Sequence, residues 1–150
     1  MKQTIQHSFF FSHSPEAVWE YLTTPALMAQ WLMPNDFKPE QGCAFQFKVN
    51  PIAKLDLDGI FDCKVLEIVP YSKLSYSWKG GPDREHVTFD TVVVWTLTKK
   101  DNGTELSLEQ TGFRLPENLP VYNSMTDGWY KNIQKINALL NISKHVPADC

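Results

Sequence analysis

The chain has 150 residues, of which 43% are hydrophobic and 21% are charged, proportions typical of a globular domain. Its 14 basic and 17 acidic side chains give a formal net charge of −3, so no overall positive field attracts phosphates and nucleic acid is not an expected partner. The longest purely apolar runs are far shorter than the roughly 20 residues that cross a bilayer, so no membrane span is expected. These features predict one domain over residues 1–150.

The N-terminus and the cysteines favour a cytoplasmic protein. No apolar stretch of roughly 7–15 residues follows the first seven residues, so no signal peptide is expected. Cys43, Cys63 and Cys150 are odd in number and widely spread, which matches neither a disulfide framework nor the paired spacing of a zinc site. We therefore expect reduced thiols, no metal and no other cofactor.

The first part of the chain predicts one strand and two short helices. Residues 5–11 alternate apolar and polar side chains, as in a strand with one buried face, and the strand is expected to end at His13. A serine before Pro15 and a glutamate after it supply an N-cap and a first-turn acid, so a helix is expected to begin there. Pro25 repeats this start signal, and the second helix is expected to end before Pro34.

Beyond residue 42 the pattern changes to a period of two, which is typical of half-buried strands. The strands are expected at residues 45–49, 60–68, 74–79, 91–98 and 105–109. The Asp101-Asn102-Gly103 sequence between the last two predicts a hairpin turn, because these residues tolerate left-handed backbone. Tight turns between successive strands indicate an antiparallel meander.

The last segment predicts a long amphipathic helix. Apolar residues recur every three or four positions from Tyr122 to Leu140, with polar residues on the other side. Residues 80–85 and 115–120 are expected to be exposed loops. A single antiparallel sheet has one apolar face to bury, and this helix is the only predicted element long enough to cover it. The fold class is therefore α+β: a curved six-stranded antiparallel sheet wrapped around a C-terminal helix.

These motifs, in this order, resemble the START-like (SRPBCC) helix-grip superfamily, and within it the family of activator of Hsp90 ATPase homologue 1-like (AHSA1-like) proteins. The resemblance rests on Ser14–Pro25, Trp31, Gly59–Pro70, Lys73–Trp78, Gly103–Leu106, Thr111–Phe113 and Gly128–Trp129. It covers nearly the whole chain and implies the helix-grip fold. Its members look like lipid carriers, polyketide cyclases, hormone receptors and co-chaperone domains, so the fold by itself does not select a function.

The resemblance implies a ligand cavity between the sheet and the long helix, and parity and helix spacing predict its lining. The expected lining residues are Phe9, Phe45, Phe47, Tyr76, Trp78, Trp95, Phe113, Met125 and Trp129, with Trp31 near the entrance. The chain departs from the family's common pattern at residues 33–37 and 50–58, and both loops flank the expected cavity mouth. A largely apolar lining is usual for small-molecule sites, but the same rings would equally fill a close-packed core. Both interpretations stay open.

Two polar groups are candidate handles for a ligand. Tyr76 is predicted to point inward, where its hydroxyl needs a partner, whether a side chain, a water or a ligand. His7 shares the parity of its apolar neighbours and is either a polar handle or a histidine satisfied by the protein itself. No catalytic residue is assigned, because the carboxylates on the strands mostly fall on the polar face.

Three functions remain as hypotheses. The favoured one is a protein that binds a small hydrophobic, aromatic or lipid-like molecule in the cavity. The second is a protein-interaction module of the Hsp90-activator type, with a chaperone-like protein or a second copy of the chain as partner; it predicts an exposed patch around Phe37 or residues 115–121. The third is a cyclase-like or hydrolase-like enzyme that uses the same cavity and needs a convergent acid or base.

Overall fold

The computed structural model describes the backbone of residues 2–145 and the side chains of residues 3–142. Its sheet consists of six antiparallel strands. The strands are β1 (Lys2–Phe11), β2 (Ala44–Lys48), β3 (Ile60–Val69), β4 (Lys73–Gly80), β5 (Phe89–Lys100) and β6 (Gly103–Arg114). They lie in the order β1-β6-β5-β4-β3-β2, and every pair is antiparallel. Short turns join β3 to β4 and β5 to β6, whereas residues 49–59 and 81–88 form longer connections in the meander from β2 to β6. The last strand, β6, pairs with β1.

Three helices complete the chain. They are α1 (Pro15–Thr23), α2 (Pro25–Trp31) and α3 (Leu119–His145), and a 3₁₀ turn covers Ala53–Leu55 between β2 and β3. The Ser14 hydroxyl accepts a hydrogen bond from the Ala17 amide at 3.2 Å, which satisfies one of the free amides at the start of α1. The curved sheet, the two short helices after β1 and the long C-terminal helix confirm the predicted helix-grip fold.

Several boundaries differ from the sequence-based expectation, and β6 shows the largest extension, since it covers Gly103–Arg114 rather than residues 105–109. β1 ends at Phe11 rather than at His13. α3 begins at Leu119, inside the stretch predicted to be a loop, because a proline is tolerated in the first turn of a helix. Asn118 is buried just before it; its side chain accepts from the Arg114 amide at 2.8 Å and donates to the Thr88 carbonyl at 2.9 Å. These bonds tie the start of α3 to the sheet.

The core lies between one face of the sheet and the three helices. Burial along β5 alternates from Phe89 to Leu97, as expected when one face of a strand is covered. From the helical side α1 contributes Val18 and Leu22, and α3 contributes a stripe that includes Ile133. Within residues 2–145, no helix is both long enough and apolar enough to cross a bilayer.

Candidate functional site

A groove with a volume of about 550 Å³ opens beside α3. One wall is a stripe of α3 whose members are spaced three or four residues apart and therefore face the same way. The stripe consists of Val121, Ser124, Met125, Gly128, Trp129 and Asn132. This mainly apolar stripe of α3 thus forms one side of the groove.

The opposite wall is the segment that joins β2 to β3. Residues 49–52, Leu55 and Leu57 line it. Leu32 and Met33, which follow α2, also border the groove, and Phe61 and Trp78 line it from the sheet. In this segment Ile52 and Leu57 form an antiparallel bridge around the 3₁₀ turn, which holds Leu55 against the core. The two loops that depart from the family's common pattern both contribute to this groove.

Aromatic rings fill the space between the sheet and the helices on the other side of Trp129. The centroids of the Trp95 and Trp129 rings are 5.4 Å apart with an interplanar angle of 85°, and the Trp31 and Trp95 rings are 5.9 Å apart at 84°. These are edge-to-face arrangements, which aromatic pairs prefer. This part of the interior is a packed core.

The ten residues predicted to line a cavity divide between these two regions. Trp78, Met125 and Trp129 line the groove. Phe45, Phe47, Tyr76, Trp95 and Trp31 belong to the packed aromatic core, Phe113 packs against Phe89 and Tyr122, and half-buried Phe9 lies beside Tyr130. Three of the ten residues thus border the groove, and the other seven pack against neighbouring side chains.

Trp31 lies deeper than its expected place near the entrance. Only 2% of it is exposed, and its indole Nε1 donates to the Tyr21 carbonyl at 2.8 Å. The following residues, Leu32 and Met33, line the groove instead. The helical spacing predicted that Trp31 lies on the apolar face of α2, but it did not predict how deeply the side chain is buried.

The two polar-handle candidates are held by protein partners. The Tyr76 hydroxyl accepts a hydrogen bond from Trp95 Nε1 at 2.9 Å, and complete burial raises the pKa of this phenol well above its ordinary value. His7 Nε2 lies 2.9 Å from the Thr126 carbonyl oxygen; since a carbonyl can only accept, this nitrogen carries the proton. His7 thereby links β1 to α3. A role of either residue in ligand binding stays a prediction.

Gln110 is a buried polar residue that sequence reasoning missed. Its Oε1 accepts from Trp129 Nε1 at 2.8 Å, and its Nε2 donates to Thr91 Oγ1 at 2.8 Å. Thr91 Oγ1 in turn donates to the Trp78 carbonyl at 2.9 Å. This chain of bonds connects the two indole residues of the groove. The signal was present, since Gln110 continues the apolar parity of Leu106 and Leu108, where a polar side chain needs an internal partner.

Trp78 contains a polar atom without a partner. Its indole Nε1 is buried, and among the described side chains no hydrogen-bond acceptor meets it. Leaving a buried donor unsatisfied costs about 1–3 kcal/mol, so such a group in a native structure calls for an explanation. Here the unsatisfied donor belongs to a residue that lines the groove.

The expected exposed patch around Phe37 is wrong. Phe37 is 3% exposed and its ring packs edge-on against Phe45 with a centroid distance of 4.9 Å. The Asn35 side-chain oxygen accepts from the Phe37 amide at 3.0 Å, and Pro34 accepts from the Lys48 amide at 3.0 Å. The loop after α2 therefore folds over the edge of β2 and turns its aromatic ring inward.

The cysteines are distributed as small side chains of the interior and its border. Cys63 is buried, and burial together with the nearby Asp62 charge raises the pKa of its thiol; a buried thiol of this kind is unreactive. Cys43 is half-buried, and Cys150 lies outside the described residues. Within residues 2–145, no three His, Cys, Asp or Glu side chains come together as a metal site.

A sheet that grips a C-terminal helix, with an apolar groove along that helix, places the protein in the helix-grip class. Comparison with known families then gives the membership: residues 12–141 match the family described as activator of Hsp90 ATPase homolog 1-like protein. The chain belongs to that family.

Several solved structures share the fold. The chain is 36% identical to protein MLL2253 from Mesorhizobium loti, with a TM-score of 0.81 and coverage of 93% of this chain and 97% of that one. Protein CV1439 from Chromobacterium violaceum is 24% identical, with a TM-score of 0.68 and coverage of 91% and 96%. The Aha1 dimer from Colwellia psychrerythraea is 19% identical, with a TM-score of 0.72 and coverage of 95% and 98%. A comparison with curated proteins found no match.

Proposed function

We propose that the protein binds a small uncharged hydrophobic molecule in the groove between α3 and the β2–β3 segment. One observation carries this proposal: about 550 Å³ of space lined mainly by apolar side chains lies beside the core. Small-molecule sites commonly measure about 300–1,000 Å³ and combine an apolar lining with a few polar groups. The polar groups here are the side chains of Asn50, Ser124 and Asn132.

The uncharged lining of the groove favours an uncharged ligand. Every described residue that lines the groove is uncharged. A charged guest would give up hydration without gaining an opposite charge, which is costly. A neutral apolar guest instead gains by covering the side chains of Leu55, Leu57 and Met125, and the gain is about 25 cal/mol for each Å² removed from water.

The test uses N-phenyl-1-naphthylamine, a neutral probe whose fluorescence rises in apolar surroundings. The wild-type protein is expected to bind it, and Leu55→Asp is expected to weaken binding at least about tenfold, because a carboxylate in the wall must be desolvated by the probe. Leu66→Asp is the matched control: Leu66 is exposed on β3 and does not line the groove. Absence of probe binding by the wild type, or equal losses in both variants, would contradict the proposal.

Protein association is the second candidate, and the family membership together with the dimeric relative favours it. The Colwellia psychrerythraea protein is a dimer, and the family is named for activation of the Hsp90 ATPase. In the segment at the start of α3 predicted to form a patch, Leu119 is exposed and Val121 is buried in the groove wall. Sedimentation velocity with Leu119→Asp tests self-association: a monomeric wild type would refute a homodimer.

A further inference from the structure

The wall that the β2–β3 segment contributes to the groove is held by the loop that follows β4. At the base of the wall, the Val49 amide donates to the Gly59 carbonyl at 2.8 Å. One residue before Gly59, the Asp58 amide donates to the Gly81 carbonyl at 2.9 Å. Gly81 is the first residue of the β4–β5 loop, residues 81–88. The position of the wall therefore depends on where this loop lies.

The β4–β5 loop is compact. Asp83 Oδ1 accepts hydrogen bonds from the Glu85 amide at 2.9 Å and from the His86 amide at 3.0 Å. A Cβ on Gly81 would lie 1.9 Å from the His86 carbonyl oxygen, so the two ends of the loop are in close contact. These contacts leave the loop little internal freedom. The point at which the loop is attached to the sheet therefore also sets the position of the Gly81 carbonyl.

Arg84 attaches the β4–β5 loop to β3. Its guanidinium donates twice to the Asp62 carboxylate, from Nε to Oδ2 at 2.9 Å and from Nη2 to Oδ1 at 2.6 Å. A bidentate pair of this kind fixes orientation as well as distance. Asp62 lies on the outer face of β3, because burial alternates along this strand and the neighbouring Phe61 is buried. Phe61 lines the groove, so the loop is attached directly behind a groove residue.

The Asp62 carboxylate is also linked to the loop after α2. Asp62 Oδ1 accepts from Gln46 Nε2 at 2.9 Å, and the Gln46 amide donates to Asp36 Oδ1 at 2.7 Å. Asp36 belongs to the loop after α2, which borders the groove through Met33. Hydrogen bonds from two segments that border or support the groove thus converge on one carboxylate outside it.

We propose that Arg84 and Asp62 are positioning residues for the ligand groove. Neither residue lines the groove. Their ion pair holds the β4–β5 loop on β3, and the Gly81 carbonyl of that loop holds Asp58 and with it the wall that contacts the guest. This inference rests on the proposed function, since it concerns the regulation of the same groove. Because salt screens charges at the surface, the affinity for an uncharged guest should depend on ionic strength.

Binding of N-phenyl-1-naphthylamine measures the effect on affinity. Arg84→Gln and Asp62→Asn each remove one charge of the pair, and each is expected to weaken binding about twofold to fivefold at low salt. The double variant should bind no more weakly than either single variant, because all three lack the same ion pair. In 1 M salt, where the screening length is about 3 Å, the wild type and the variants should bind with nearly equal affinity. Effects of salt on the probe itself are common to all four proteins and cancel in these ratios.

The ion pair between Lys73 and Glu67 is a matched control. Its N–O distance is 2.9 Å and its side chains are 42% and 48% exposed, against 49% and 40% for Arg84 and Asp62. Neither Lys73 nor Glu67 lines the groove. Lys73→Gln and Glu67→Gln should therefore change the free energy of unfolding as little as the test variants do and should leave probe affinity unchanged. Equal losses of affinity for both ion pairs would overturn the inference.

Amide hydrogen exchange tests the connection between the loop and the wall without any ligand. In Arg84→Gln the Asp58 amide is expected to exchange about twofold to fivefold faster, because its acceptor on Gly81 is held less firmly. The Val49 amide keeps its bond to Gly59 and should exchange at the wild-type rate. Unchanged exchange at Asp58, or equal acceleration at Val49, would refute the connection.

The inference and the proposed function fail on different results. If the wild type binds N-phenyl-1-naphthylamine and Arg84→Gln binds it equally well at low salt, the positioning role is wrong and ligand binding stands. If the wild type does not bind the probe at low or at high salt, the proposed function fails, and the positioning role fails with it.

Discussion

Replacement of Gln110 by methionine tests the buried hydrogen-bond chain that connects the sheet to α3. Methionine has nearly the volume of glutamine, so Gln110→Met leaves little cavity. It removes the oxygen that accepts from Trp129 Nε1 and the amide that donates to Thr91 Oγ1. The Thr91 hydroxyl keeps its bond to the Trp78 carbonyl, so the principal loss is the acceptor for the buried indole.

The magnitude follows from these contacts. A buried N–H left without a partner costs about 1–3 kcal/mol, and the lost amide–hydroxyl bond adds about 1 kcal/mol. We therefore expect Gln110→Met to lower the free energy of unfolding by about 2–4 kcal/mol. The double variant Gln110→Met with Trp129→Phe has no indole N–H at position 129 to satisfy. The stability losses of the two single variants should therefore add up to about 1–2 kcal/mol more than the loss of the double variant.

Urea unfolding followed by far-ultraviolet circular dichroism measures these values, with equal slopes required for the comparison. Gln6→Met is the control, because the exposed Gln6 side chain donates to Glu109 across the outer face of the sheet at 2.9 Å. This substitution should change stability by less than about 0.5 kcal/mol. Wild-type stability of Gln110→Met, or additive losses within about 0.5 kcal/mol in the cycle, would refute the role assigned to Gln110.

Two further predictions concern stability. Burial raises the pKa of Cys63 above its ordinary 9.0 and that of Tyr76 above its ordinary 10.0; each group stays protonated when folded but releases its proton when unfolded, so stability is full below pH 9.0 and falls as pH rises, by about 1.4 kcal/mol per pH unit for each group. Between pH 8 and 11 the urea midpoint should decline less steeply with pH in Cys63→Ala and in Tyr76→Phe than in the wild type. The same decline in the variants as in the wild type would contradict the assignment to these two groups. Ser14→Ala should cost about 1 kcal/mol by urea unfolding, because the Ala17 amide loses its cap; Ser12→Ala, before the cap, should be close to neutral.

Local signals in the sequence were sufficient for the elements and for their order. Prolines at the starts of α1 and α2, the Asp101-Asn102-Gly103 turn and the change of period after residue 42 act over a few residues, so they can be recognised without knowing the fold. The short turns between β3 and β4 and between β5 and β6 make these pairs antiparallel, and one apolar sheet face requires a cover. The start of α3 was missed because the bonds of Asn118 join it to Thr88, which is distant in sequence.

The division between groove and core was decided by the tertiary structure. Parity states which face of a strand an aromatic side chain occupies, but not what lies beyond that face. Trp78 and Trp129 line the groove, whereas Trp31 and Trp95 pack edge-to-face in the core. That outcome depends on where the chain between β2 and β3 lies relative to α3, and on how rings of different depth interdigitate. Sequence alone thus determined the layers of this protein, and long-range packing determined the site between them, because contact distances across the layers are set only when all elements pack together.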